Sequence, residues 1–511
     1  GMTLGYRDLF LKDKGLPSFV DFHVAQTGKT SCKVSWIRGK FGQFVIKLWG
    51  DLTSFSPLIG KIRCQTDTRQ FRALLPLFPR LCKDRHCLMA KGDIQCDGIF
   101  AFGEPFTYHL SAEVNNATVP FPKSREPFKI SRLKFLLANG VRSVDIDGFL
   151  YKGTIGNRFS LAAISREGQW FWRGRADFKY LDLDDFRPFY WPRHRMEKDG
   201  VAVRAEAPAE KEKQVGLFVK LARFLHGKFI RGAISAKGLK VLDYRLQDFF
   251  TRFDHQGTHG RIRGLNFLTP EGYGAIDVDW SEMDKGDILL KVDPIAKNLD
   301  FGKILTGLLG RDSPFTGMLS FHGALKGVGQ SFHDVRKTVS GYMVAEYKNG
   351  VIKHWKVLSD IFALINIYDI LKGLPDFSKE GLAYKKIKGT ITVKNGIAKT
   401  DNARLESRPF FIGGQGQLNL GDGMLTLLIG VYPFKMIDKI ISKVPIVGWI
   451  FTDHNKRVLG YYFRVEGHVT QPEVSSVNIE SYGKNIFNIF KKIITLPIYP
   501  FLDHSKKEEK K

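Results

Sequence analysis

Apolar and polar residues alternate with a period of two along most of this chain, and glycines break the alternation at intervals. That pattern predicts short antiparallel strands joined by turns. In residues 98–180, Val144 and Ile146 lead to Phe149 beside a turn expected at Gly148, and Phe159, Leu161 and Ala163 share one face. Further short strands are expected at 171–175, 176–180, 234–246, 260–268, 274–280 and 288–292. Ile276, Val278 and Trp280 alternate with Asp277 and Asp279. Ile387, Gly389, Ile391 and Val393 point one way while Lys388, Thr390, Thr392 and Lys394 point the other, and Asn395-Gly396 then signals a hairpin. The division recurs where Tyr461, Phe463 and Val465 oppose Tyr462, Arg464 and Glu466. Strands of this kind belong to a sheet buried on one side only.

Helical spacing interrupts the strands in four places. Leu217, Phe218, Leu221, Phe224 and Leu225 predict a short helix stopped by Gly227. Over 353–372, Val357, Ile361, Leu364, Tyr368 and Leu371 recur at spacings of three and four, and Leu358, Phe362 and Ile365 widen that face enough to predict packing on both sides. Short helices are also expected at 434–443 and 485–496, the latter with Ile486, Ile489, Phe490, Ile493 and Leu496 on its apolar side. The proline-bearing, charge-dense stretch 193–214 reads as a linker. The expected organisation is a β-rich region at 1–192, the linker, a middle β-rich region at 215–336 with a leading helix, a C-terminal region at 337–497 and a basic tail at 498–511.

Length supports more than one core, because 511 residues exceed the ~250–300 at which single cores stop growing. The balance of 78 Lys+Arg against 52 Asp+Glu gives a charge of +26 and predicts attraction to a polyanionic surface. Nucleic acid is not the expected partner, since the charge is scattered and no nucleic-acid-binding signature accompanies it. An anionic membrane surface fits better. No window reaches the ~18 apolar residues of a membrane-spanning helix. The cysteines Cys32, Cys64, Cys82, Cys87 and Cys96 lack metal or redox spacing and read as free thiols or one local disulfide.

Candidate chemistry is sparse. Gly413-Gly414-Gln415-Gly416 is followed by more strand, not by a helix, so it reads as a turn or bulge and not as a phosphate cradle. Asp145 with Asp147, and Asp182 with Asp184 and Asp185, read as the wet side of strands near turns. His226, His322, His354 and His454 show no metal-ligand spacing, and no nucleophile elbow is present. No enzyme, metal or cofactor is expected.

Residues 341–497 carry "KNGVI", a helix, "KGTITVKNGIAKTDNARL", "GGQGQLNLGDGMLTLLI", "KVPIVGWIF" and "FRVEGHVTQPEV". That order resembles the C-terminal region of the AsmA-like proteins, above all at Val444-Pro445-Ile446-Val447-Gly448, Val465-Glu466-Gly467 and Gln471-Pro472-Glu473-Val474. The resemblance implies a mainly β fold with a few amphipathic helices, an elongated and strongly curved antiparallel sheet forming an apolar groove. It also implies a periplasmic module that binds phospholipid and transfers it between inner and outer membranes during outer-membrane assembly. The family's N-terminal inner-membrane anchor is not in this sequence, and Gly1 before Met2 resembles a tag-cleavage scar, so an anchor is expected upstream. Groove candidates are Ile276, Val278, Ile288, Leu290, Ile391, Val393, Phe463 and Val465. Lys484, Ile486, Phe490, Lys491 and Lys492 are candidates for a membrane-surface helix, or for a helix capping the sheet. The alternation alone favours a filled sandwich over an open groove, and only the resemblance reverses that preference. Such a closed core would make the chain a non-catalytic scaffold for an envelope protein partner.

Overall fold

The computed structural model describes residues 4–6, 10–12, 18–41, 44–55, 58–66, 91–119, 126–186, 225–241, 244–283, 286–303, 306, 313, 315–353, 356–365, 381–408, 410–433 and 460–477. The chain is mainly β, in antiparallel sheet as its alternation predicts, and the sheet is curved and open. It divides into two units, one of residues 1–212 with 224–268 and the other of 213–223 with 269–511.

In the first unit, each strand from Ser18–Gln26 to His259–Leu268 pairs with the next in chain order. Every pair is antiparallel except one. Gln169–Asp182 and Lys228–Val241 run parallel, with Phe171 opposite Phe229. The linker expected at 193–214 lies outside the described residues, but the strands on either side of it pair directly. The sequence boundary therefore runs through one sheet. Two strand readings also change: 171–180 is one strand, Gln169–Asp182, and 234–246 spans two, Lys228–Val241 and Tyr244–Gly257.

Gly148 is not a turn. It lies inside Val141–Tyr151 with φ +65°, and the register runs on unshifted across it, from Asp147 opposite Arg132 to Phe149 opposite Ile130. Asn116, φ +53°, sits in the same way on the strand Thr107–Val119, between Asn115 opposite Arg132 and Ala117 opposite Ile130. A left-handed residue in mid-strand shifts the side-chain parity and bends the strand. Ala117 and Ile130, beyond that point, accordingly pack with Val114, Leu133 and Ile146, before it. The apolar face continues through the bend although the strict alternation breaks.

In the second unit, strands Tyr273–Glu282 through Glu473–Ser476 form a second antiparallel ladder in chain order. The Asn395-Gly396 hairpin is present, with φ +49° and +75° at its two central residues, the primed turn that matches strand twist. A Cβ on Gly396 would stand 2.7 Å from the carbonyl oxygens of Arg336 and Lys337. Gly396→Ala is expected to cost more than ~1 kcal/mol, from strain and contact together. A lower urea midpoint with an unchanged slope would register it.

Those carbonyls belong to α1 (Phe332–Thr338), a short helix not anticipated from the sequence. Ser331 caps it by accepting from the Asp334 N–H, a pattern visible as Ser331-Phe332-His333-Asp334. The helix expected at 353–372 is described as α2 (Lys356–Leu364). Val357, Leu358, Ile361 and Ile365 are buried, whereas Leu364 is 49% exposed, so α2 packs on one side and not on two. Its buried side joins Leu382, Phe410, Ile429, Phe463 and Val465 in the main core of this unit. The helices expected at 217–225, 434–443 and 485–496 lie largely or wholly outside the described residues.

Candidate functional site

Register assigns every paired side chain to a face. In the first unit, Val144 stands opposite both Phe135 and Leu161, Phe135 opposite Ala112, and Leu137 opposite Leu110. Ala163 beside Leu161 pairs with Trp172. These residues form one continuous apolar face, which lines a cavity of ≈ 390 Å³. The size lies within the ~300–1,000 Å³ range of small-molecule sites. Phe135 is 41% and Leu137 39% exposed, and at the strand Ser18–Gln26 the same face shows Phe22 at 67%. A sheet normally covers such a face; here large apolar side chains on it stay open.

The opposite face carries the charged pairs. Arg132 pairs with Asp147, Lys134 with Glu113 at 3.1 Å, and Arg231 with Asp254 at 2.8 Å. The hydrogen bond from Arg132 holds the Asp147 carboxyl below its ordinary range. Asp182 and Asp184 share Lys240, while Asp185 accepts from the Thr154 hydroxyl and the Gly153 N–H. These carboxylates are held by structural partners, and among the described residues no cluster could hold a metal ion. Gly413 to Gly416 lie in the strand Phe410–Asn419, and the irregularity sits on the neighbouring strand, between Thr400 and Ala403. Cys32, Cys64 and Cys96 are free; burial pushes the Cys96 thiol up to about 11 and raises that of Cys64. Cys82 and Cys87 lie outside the described residues.

All eight groove candidates of the second unit share its apolar face. Val278 stands opposite Val292, Val292 opposite Leu325, Leu325 opposite Gly341, and Gly341 opposite Val393. Ile276, Ile288 and Leu290 alternate onto this face, and Ile391 joins it opposite Met343. Phe463 and Val465 reach it through Ile429 and Leu427. Their environments differ. Ile276, Val278, Leu290, Ile391 and Val393 are half-buried, whereas Ile288, Phe463 and Val465 are 3%, 2% and 0% exposed. Phe463 and Val465 belong to the core filled by α2 and line no open space. The membrane-surface candidates Lys484, Ile486, Phe490, Lys491 and Lys492 lie outside the described residues.

Sequence reading missed the cavity of the first unit. Its signal was present as Leu110-Ala112-Val114 and Leu133-Phe135-Leu137, two alternating runs on adjacent strands.

On the polar face of the second unit, Glu346 has a side chain only 6% exposed, with Lys348 Nζ at 3.0 Å and Lys386 Nζ at 3.1 Å. Burial alone would raise its carboxyl; the two lysines outweigh burial and hold it below the usual range. The folded value is thus below the unfolded one, so this stabilisation is complete above the unfolded value and is lost as pH falls through the folded one. Glu346→Gln is expected to flatten the acid side of the stability profile, measured by urea unfolding from pH 6 down to about 3. An unchanged slope would show that the pair contributes nothing.

Fold and site together define a class: a mainly β protein with one polar, charge-bearing face and one apolar face, the latter packed as core in places and open in others. A family model described as YhdP protein matches residues 117–474, and the chain belongs to that family. The family is one of the AsmA-like, bridge-like lipid-transport proteins, though not AsmA itself, and its match begins well upstream of the 341–497 stretch that carried the resemblance. No curated protein matches the chain. No solved structure matches it either.

Proposed function

We propose that this chain is a periplasmic lipid-binding and transfer module that carries phospholipid between the inner and outer membranes in support of outer-membrane assembly. The observation that carries the reading is the uncovered apolar face of the first unit, with its ≈ 390 Å³ cavity. An acyl chain in water forgoes about 0.8 kcal/mol for each methylene left unburied, so transport across an aqueous space requires an apolar lining. Family membership supports the same reading. Among the described residues no helix is long and apolar enough to cross a membrane; attachment to the inner membrane is part of the proposal. The +26 charge suits an anionic membrane surface as partner, and no catalytic step is proposed.

Native mass spectrometry with lipid extraction, on protein purified from a bacterial host without added lipid, tests the proposal. Co-purifying phospholipid is the expected result, with less of it after Val278→Asp. A lipid-free protein would overturn the reading in favour of a scaffold for an envelope protein partner.

A further inference from the structure

On the strands beneath the cavity of the first unit, cations keep to the charged face: Arg132, Lys134, Arg158, Arg173 and Arg175 all lie there. Arg142 does not. It stands opposite Leu137 on one neighbouring strand and Ala163 on the other, shares the face of Val144 and Trp172, and lines the cavity. Its guanidinium carbon lies 4.3 Å from the centroid of the Trp170 ring. Among the described residues that stack is its one polar or ring contact, and no carboxylate neutralises it.

A second cation stands close by. Ile230 is in register with Trp172, and Phe229 with Phe171, on adjacent parallel strands. Lys228, two residues before Ile230, therefore falls on the same face as Trp170 and flanks it. Arg142 lines the cavity with Leu137, Val144 and Leu161, and Trp170 and Lys228 lie on the same face of the neighbouring strands.

Arg142 is exposed and, among the described residues, has no carboxylate partner, so its charge is available to an anion at the cavity it lines. The contact with Trp170 holds the guanidinium beside the cavity, where its planar fork can meet a phosphate in a bidentate way. We propose that Arg142, held on Trp170, binds the phosphodiester of a glycerophospholipid whose acyl chains occupy the cavity. The assignment rests on the lipid-binding reading and adds to it the ligand's charge and the place of its head group.

The test loads lipid-stripped full-length chain with phosphatidylglycerol or with diacylglycerol bearing the same chains, and reads uptake by native mass spectrometry. The wild type is expected to prefer the phospholipid about tenfold, the worth of one charge-assisted hydrogen-bonding contact. Arg142→Gln should abolish that preference while leaving diacylglycerol uptake unchanged, and Arg142→Lys should keep part of it. Unaltered diacylglycerol uptake also shows that the variants are folded. A preference that survives in Arg142→Gln, or its absence from the wild type, overturns the head-group assignment and leaves the lipid reading intact. Uptake of neither lipid by the wild type overturns the lipid reading itself. Millimolar inorganic phosphate should not displace the phospholipid; if it does, and binds the wild type but not Arg142→Gln without lipid, Arg142 is a site for free phosphate.

Discussion

Phe135→Asp is expected to reduce co-purifying lipid by at least about tenfold while leaving the protein folded. Phe135 lies between Val144 and Ala112 in the cavity lining and is 41% exposed. An aspartate there would set an unpaired carboxylate against an acyl chain, and an uncompensated charge in apolar surroundings costs at least several kcal/mol. The cost to folding is small because much of this side chain already meets water: about 1 kcal/mol at the usual rate per unit of area. The adjacent residue supplies the control. Lys134 points to the opposite face, where it pairs with Glu113, and Lys134→Ser should leave lipid uptake unchanged. Extraction and quantification of lipid from both variants, with melting curves, decides the matter. Wild-type lipid content in folded Phe135→Asp would mean that the cavity holds no chain.

Phe463→Ala should behave in the opposite sense, destabilising the second unit by about 3–5 kcal/mol, as large-to-small changes of buried aromatic residues do. Phe463 is 2% exposed and shares its core with Ile361 of α2, Leu382, Phe410 and Ile429. Its removal leaves a void that neither the ladder nor α2 can fill without shifting. Urea unfolding would show the loss as a lower midpoint of the transition. A change below about 1 kcal/mol would contradict the tight packing of that core. Ile391→Ala, on the same face of the same unit but half-buried, should cost less.

Much of the sheet was legible in the sequence because pleating is local. Successive side chains of a strand must point to opposite faces, so the alternation of Ile391 and Val393 with Thr390 and Thr392 assigned both faces before any pairing was known. The turn at Asn395-Gly396 was equally readable, since few residue pairs tolerate positive φ twice in succession. Where alternation slips, so did the reading. Gly148 looked like a turn because Ile146 and Phe149 are out of phase, yet the phase change comes from a left-handed residue inside a strand whose register is unbroken on both sides. That register involves residues on separate strands, and no single segment displays it.

By itself the sequence determined the strand class, the wet and greasy faces, the excess of positive charge and the family likeness of the C-terminal third. Only the tertiary structure decided which stretches of the greasy face are core and which are open. Ile391 and Phe463 carry the same alternating pattern; α2 packs in the core that holds Phe463, and Ile391 stays half-exposed. Arg142 likewise reads as one more surface charge until the register sets it among Leu137, Ala163 and Trp170. The physical reason is that periodicity records which side of a strand avoids water, whereas covering that side requires a partner from elsewhere in the chain, or a ligand.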